Sequence, residues 1–291
     1  MSWFIDKKLI SEKEWKYEIN KLKAKKTIDN KEEIKDLLKK ELVYTIEKSL
    51  PKGRFGILFS GGVDSTLIAF ICKKLKKDFI CYSVGLKDSK DLEAARKVAK
   101  VYGFKLKHKL ISLDEAERII KKTVKILGKL TNVVNVGVGA VEIACFEIAK
   151  EDKITYLFGG LGSEEIFAGY QRHELSKDIN KECFAGLKNM WQRDLLRDTT
   201  LADKYKVNLI TPFLDKDLIK LALQIPSTFK IKGEIKKYIL RKAALDLGLK
   251  KEFAFRKKKA AQYGSNFDKA IQKLAKLHGF KYKKDYLASL I

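Results

Sequence analysis

The spacing of apolar positions divides this chain into three stretches. Through the first fifty residues they recur at helical spacing in a charged background. In EEIKDLLKKELVYTIEKSL, the residues Ile34, Leu37, Leu38, Leu42, Ile46 and Leu50 fall on one stripe. Residues 1–50 therefore read as a helical extension, which Pro51-Lys52-Gly53 ends. From about residue 54 to 160, short apolar runs alternate with amphipathic segments. RFGILFS, DFICYSVGL, KLKHKLISL and KITYLFGG read as strands. TLIAFICKKLKK, DLEAARKVAKVYG, DEAERIIKKTVKILGKL and VGAVEIACFEIAKE read as helices. Basic residues close the first helix and acidic residues open the third, as the helix dipole favours, and Gly103 stops the second. Such alternation predicts an α/β fold, an open parallel sheet with helices on both faces. After residue 170 the alternation stops. DKDLIKLALQIP, IKKYILRKAALDLG and NFDKAIQKLAKLHG read as helices. Residues 51–170 are thus expected to form the sheet core, and residues 171–291 a mainly helical part that completes the same domain.

Composition narrows the setting. A chain of 291 residues can bury the core of one large α/β domain. With 45% hydrophobic residues and three prolines it is not a disordered or low-complexity sequence. No apolar stretch is long enough to span a membrane, and MSWFIDKKLISEKEW has no long apolar core after a basic flank. No membrane partner and a cytoplasmic location are expected. The four cysteines (Cys72, Cys81, Cys145, Cys183) show no CxxC spacing and are expected to be buried reduced thiols. His108, His173 and His278 are too scattered for a metal cluster. The net charge of +25 fits attraction to a polyanion such as RNA, DNA or a charged nucleotide. A bias toward Lys and Ile gives the same charge without a nucleic-acid partner. Lysine clusters (KLKAKK, KKLKK, KKK) are spread along the chain and not gathered in one arm.

The candidate chemistry lies in FGILFSGGVDSTLIAF, residues 55–70. In an open parallel sheet, ligands sit at the carboxyl ends of the strands, where this stretch delivers its polar residues. Gly61 and Gly62 allow close backbone approach, and Ser60, Ser65 and Thr66 place hydroxyls beside the amides of a helix N-terminus. A phosphate is the natural occupant. Asp64 would repel a bare phosphate, so its presence points to Mg2+ between the two. The Gly-Lys-Ser/Thr ending of the Walker pattern is missing.

SGGVDS resembles the pyrophosphate-binding loop (PP-loop, SGGxDS) of N-type ATP pyrophosphatases, which have an adenine nucleotide alpha hydrolase-like fold. These enzymes cleave ATP to AMP and pyrophosphate and use the adenylate to activate a carboxyl or carbonyl oxygen. Further segments resemble the asparagine synthetase branch in order: YSVGLKDSKDLEAARKVAK, YLFGGLGSEEIFAGYQRH, LLRDTTLADKYKVNLITPFLDKDLIKLALQIP and KKYILRKAALDLG. The similarity runs from about residue 32 to 267. It implies a Mg-ATP site built from Leu58, Ser60, Gly61, Gly62, Asp64, Ser65, Thr66, Val84, Gly160 and Lys237. It implies Asp64, Asp91 and Glu164 as Mg2+ ligands, and Asp64, Glu165 and Lys237 as catalytic residues, with Lys237 stabilising the charge on departing pyrophosphate. Glu164 and Glu165 occupy the family's acidic pair; two adjacent carboxylates after a Gly-rich turn suit Mg2+ better than a core. Arg241, one turn beyond Lys237, either faces the site or forms a salt bridge.

Four departures bear on function. The family's glutaminase domain begins with Cys after Met; here Ser2 follows Met1 and about fifty residues precede the loop, so either nitrogen is expected as free ammonia or from a separate amidotransferase subunit, or the nucleophile is not ammonia. Leu161 stands where SGEGxDE carries a Glu near the adenylate and incoming ammonia, and leucine moves no proton. Asn208-Leu209-Ile210 precedes PFLD without the family's Arg. RKKKAAQYGSNF, residues 256–267, either closes over the nucleotide, touches a polyanion, or is a solvated helix end. The leading expectation is an ATP-dependent ligase that adenylates an acceptor oxygen for attack by a nitrogen nucleophile, aspartate being the family's usual acceptor. A tRNA-modifying enzyme activating a base carbonyl is the alternative. A nucleotide-binding subunit or sensor without turnover is the third.

Overall fold

Short, doubly buried runs build the sheet at the centre of the protein. The computed structural model describes residues 4–5, 8–24, 26–257 and 259–291. Ser2 lies outside the described residues, as do Lys25 and Lys258 of two lysine clusters. Two strands come first, β1 (Phe4–Ile5) and β2 (Lys8–Leu9), paired antiparallel. The main sheet contains β3 (Phe55–Leu58), β4 (Phe79–Gly85), β5 (Leu106–Leu110), β6 (Tyr156–Phe158) and β7 (Asn208–Ile210). Its order is β5-β4-β3-β6-β7, and every neighbouring pair is parallel. The expected open parallel sheet is therefore present. The chain builds outward from β3 to β5, crosses back to β6 and continues outward to β7. Strand order thus reverses between β3 and β6, which opens a crevice beyond their carboxyl ends.

Two buried apolar clusters flank the sheet. One joins Ile34, Leu38 and Leu42 of the Lys31–Lys48 helix to Ile57, Leu67, Leu240 and Ala243. The other joins Tyr82 and Leu157 to Ile119, Ala140, Ile143 and Ile271. Helices cover both faces, which is why the central strands read as nearly continuous apolar runs. At Gly56 in β3, an added Cβ would lie 2.4 Å from Leu157 and 2.6 Å from Tyr82, so only glycine permits this packing. All four cysteines are buried and free.

Two sequence readings need correction. Residues 1–50 are not uniformly helical. After the β1–β2 pair come two separate helices, Glu12–Lys21 and Lys31–Lys48. Ser11 caps the first in a reciprocal box with Glu14, and Asn30 caps the second. Leu37 is 38% exposed, and Thr45 takes its place on the buried stripe. The extension is docked on the domain: Trp15 is fully buried and donates its indole N–H to the Leu187 carbonyl at 2.9 Å. The second correction is β7. Strand pairing does not end near residue 170, because Asn208–Ile210 adds a fifth parallel strand beside β6. Three residues, half exposed at a sheet edge, carry too little apolar signal to be read as a strand.

Candidate active site

The SGGVDS turn links β3 to the Val63–Lys74 helix. Gly62 occupies the N-cap position, and no side chain caps the helix. Its first amides therefore remain available to an anion. Gly61 has φ +66°, and a Cβ there would lie 2.8 Å from the backbone of Ala94 and of Ala95. Glycine is required on both counts. The Ser65 hydroxyl donates to the Gly62 carbonyl at 3.3 Å and accepts from the Ser60 amide at 3.4 Å. The Ser60 hydroxyl accepts from the Gly62 amide at 3.3 Å. The turn is thus held by its own serines.

Lys237 arrives from the far end of the sequence. Its backbone is left-handed, φ 54°, at the start of the Tyr238–Asp246 helix. A non-glycine residue held this way is strained and must be fixed by its surroundings. Its ammonium does the fixing. Nζ donates to Asp64 Oδ2 at 2.8 Å and Oδ1 at 3.0 Å, and to the Ser163 hydroxyl at 3.1 Å. It also meets Glu164 Oε1 at 2.6 Å. Burial opposes the charge, but Asp64 and Glu164 outweigh it and hold the Lys237 pKa above the ordinary lysine value. Gly169 makes room, since a Cβ there would overlap the Glu164 carboxylate and crowd Lys237 Cε.

Asp91 sits on the other side of the crevice, in the first turn of the Lys90–Tyr102 helix. Arg256 binds it at 2.9 Å and also donates to the carbonyls of Lys90 at 2.9 Å and Ser60 at 3.3 Å. The segment after Arg256 folds over this carboxylate so tightly that a Cβ at Gly264 would lie 2.1 Å from Asp91 Oδ2. Ala260, Ala261, Gln262 and Ser265 line the crevice, while Lys257 and Lys259 are exposed. Arg241 forms no cap on the carboxylates. It donates to the backbone carbonyls of Lys236 (2.8 Å), Ala254 (2.6 Å) and Arg256 (3.2 Å), and so braces the segment that carries Arg256.

These elements enclose a cavity of about 350 Å³. Leu58, Ser60, Asp64, Ser65, Val84, Asp91, Gly160 and Glu164 line it. Lys237 reaches it through Asp64 and Glu164, and Gly61 and Gly62 form the turn that carries Ser60 and Asp64. Two expected site residues do not face it. Thr66 is fully buried with its hydroxyl unpartnered among the described residues. Glu165, next to Glu164 on a short helical turn, is fully buried and is not among the residues lining the cavity. It pairs there with Arg193, and with Arg172 at 3.8 Å. Burial pushes its pKa up to about 7, with Arg193 opposing. Asp64, Asp91 and Glu164 do not converge on one point among the described residues. Asp64 and Glu164 meet at Lys237, while Asp91 is held apart by Arg256. Mg2+ commonly takes only one or two protein carboxylates beside phosphate oxygens, so the hard-oxygen pair Asp64 and Glu164 fits it.

The inner wall was not legible as a site. A widened helical turn, Trp191–Leu195, presents Arg193 and Asp194, and the Leu196–Tyr205 helix presents Arg197 and Asp198. Arg193 binds Asp194 at 2.7 Å, and Arg197 binds Asp198 at 2.6 Å. The Tyr170 ring lies 4.1 Å from the Arg172 guanidinium and 5.4 Å from that of Arg193. Opposite them, Glu142 enters from the Val133–Glu151 helix. It is one of two carboxylates, with Glu147, in the otherwise apolar run VGVGAVEIACFEIA. Leu161 lines the same space.

The profile of the asparagine synthase family, "Asparagine synthase", matches residues 38–177 and 173–279. The chain is 33% identical to a Methanocaldococcus jannaschii protein assigned as asparagine synthetase (glutamine-hydrolyzing) 1, over 92% of this chain and 56% of that protein. It is 31% identical to the asparagine synthetase (glutamine-hydrolyzing) of Mus musculus, over 72% of this chain and 40% of that one. The chain thus spans about half the length of these relatives or less. Among solved structures, an NMN synthetase from Francisella tularensis aligns over 89% of this chain and 92% of its own, at 12% identity and a TM-score of 0.43. The chain belongs to the asparagine synthase family, whose members use ATP.

Proposed function

We propose that this domain adenylates an acceptor oxygen with Mg-ATP, releasing pyrophosphate, and that a nitrogen nucleophile then displaces AMP. The observation that supports it best is Lys237, held in a strained conformation between Asp64 of the Gly-rich turn and Glu164 at the reversal point of the sheet. The open amides at the start of the Val63–Lys74 helix suit the phosphates. Asp64 and Glu164 would hold Mg2+, which neutralises charge on the phosphate oxygens when bound. Lys237, whose ammonium lies between these two carboxylates, would meet the negative charge that grows on pyrophosphate as it leaves. Ser60 and Ser65 orient the phosphates, and Leu58 and Val84 offer an apolar wall to the base. Arg256 and the segment to Ser265 keep water from the crevice, where an adenylate would otherwise hydrolyse.

Aspartate with ammonium is the first acceptor and nucleophile to try, by family membership. Purified protein is assayed for pyrophosphate release from Mg-ATP with aspartate plus ammonium, and in parallel with bulk tRNA. Release with aspartate, lost in Asp64→Ala, supports the reading. Release with tRNA alone moves the acceptor to a nucleic-acid base. Bound nucleotide without release under either condition contradicts the reading and leaves a nucleotide sensor.

A further inference from the structure

The two ends of the main sheet carry opposite charge. All five strands are parallel and each follows a helix, so the five helix-to-strand turns lie together at the end opposite the crevice. They read PKGR before β3, KKLKKD before β4, KVYGFK before β5, KEDK before β6 and DKYK before β7. That is twelve Lys or Arg against four Asp or Glu, a balance of +8. The strand-to-helix turns at the crevice read SGGVD, LKDSKDLE, ISLDE, GGLGSEE and TPFLDKD. They hold ten acidic residues against three lysines, a balance of −7. Lys237, Arg256 and the exposed Lys257 and Lys259 offset part of that. A compositional bias toward lysine would load both ends alike. The helix dipole favours these signs, but one cation at each helix end satisfies it, and KKLKK holds four.

All twelve basic residues are exposed. Among the described residues, only Arg54 and Lys105 of the twelve form an ion pair, both with Asp78, at 2.8 and 2.9 Å. Lys107 already answers Glu151 and Asp152, at 2.9 and 3.0 Å. Lys76, Lys153 and Lys206 stand just past helix ends with φ of 53°, 58° and 56°. Glycine is the unstrained choice at such a position, so three of the turns keep a cation where the backbone favours none. Strands lie about 4.8 Å apart, so the five turns span about 20 Å. Neighbouring turns lie within one Debye length, about 10 Å at 0.1 M salt, and their fields add.

We propose that this face docks a folded RNA through its phosphates, at the end of the sheet remote from the nucleotide cavity. The proposal does not depend on the adenylation reading. Lysines on a broad face with no protruding helix suit phosphate contacts and cannot enter the major groove that DNA readers use. Helical RNA is held in this manner, by shape and backbone. Val101 is the one exposed large hydrophobic residue within the five turns, too little to anchor the face in a bilayer. The acidic turns at the crevice repel the same polyanion. RNA is therefore a partner on this face and not the acceptor in the cavity.

The test is fluorescence anisotropy of labelled bulk tRNA with the full chain. Wild-type affinity is expected to fall about 100-fold between 50 and 200 mM KCl, the loss for about four or five phosphate contacts. Lys76→Glu/Lys77→Glu/Lys153→Glu should weaken binding by at least about 10-fold and flatten the salt dependence. Lys269→Glu/Lys273→Glu/Lys276→Glu makes the same change in net charge on the Phe267–Leu277 helix and should cost less than about 3-fold. Saturating Mg-ATP should leave tRNA binding unchanged. No binding at 50 mM KCl, equal losses in the two triple variants, or competition by Mg-ATP overturns the proposal. Duplex DNA of matched length, or phosphatidylserine vesicles, bound as tightly as tRNA overturns the choice of RNA. If the first triple variant fails to fold, the glutamine version at the same positions and the Mg-ATP competition on wild type still decide. Pyrophosphate release is read separately, so loss of the adenylation reading leaves the RNA face standing.

Discussion

The two walls of the cavity solve the same problem in opposite ways. At the mouth, Lys237 bridges Asp64 and Glu164, and Arg256 answers Asp91, so these carboxylates are paired before any ligand arrives. At the inner wall, Glu142 faces Asp198, and only the latter has a guanidinium. The carboxylates at the mouth already hold cations that a metal or a phosphate-bound partner would replace. Burial, and then Asp198, raise the pKa of Glu142, and the two side chains are hydrogen-bonded to each other. The first wall is suited to polyphosphate chemistry at near-constant charge. The second is an acid pair flanked by two arginines that are each held by an aspartate.

The comparison can be broken most forcefully at the mouth. Lys237→Ala should reduce pyrophosphate release by about 100- to 1,000-fold, since a preorganised donor to the departing charge is lost. It should also destabilise the fold by about 3–5 kcal/mol, because two carboxylates lose their buried partner. Urea unfolding reads the second effect separately from activity. Gly61→Ala should cost about 1–3 kcal/mol in the same experiment, given a positive φ and a backbone contact of 2.8 Å. Its binding of ATP should weaken in parallel. Full activity and stability in that variant would show that the turn is not held as described.

The interior beneath the two walls gives a finer test through pH. Glu165 keeps its proton up to about pH 7 in the fold against 4.5 in an unfolded chain. Its contribution to stability is therefore full below about pH 4.5 and is lost as pH rises through about 7. His173 runs the other way. Burial, reinforced by Arg172, lowers its pKa from 6.5 to about 4, and its Nδ1 accepts the Tyr170 amide at 3.1 Å. Its contribution is full above pH 6.5 and is lost as pH falls through about 4. Glu165→Gln should flatten the neutral side of the stability curve, and His173→Gln the acid side. The smallest effect is expected from Arg256→Ala, a several-fold rise in KM for ATP, because a partly exposed clamp loosens while Lys237 stays in place.

The parallel sheet and the mouth of the cavity were readable from residues 55–160 because their signals are local. A strand, a glycine turn and a helix start lie within sixteen residues, and each rule acts over that range. Lys237 is 173 residues from Asp64, so its place came only from resemblance to a family. The strand β7 escaped because three residues at a sheet edge follow tertiary pairing and not an apolar pattern. Glu164 lines the cavity and Glu165 does not, because adjacent residues on a helical turn face different ways, and composition cannot say which of two glutamates looks outward. The inner wall was illegible for a related reason. Glu142, Arg193, Asp194, Arg197 and Asp198 are ordinary charges until three helical segments bring them to one cavity.

The most direct test of the account is the identity of the products formed from Mg-ATP with aspartate and ammonium. The account predicts AMP and pyrophosphate in equal amounts, absent in Asp64→Ala. ADP and phosphate, or equal turnover in wild type and Asp64→Ala, would contradict it.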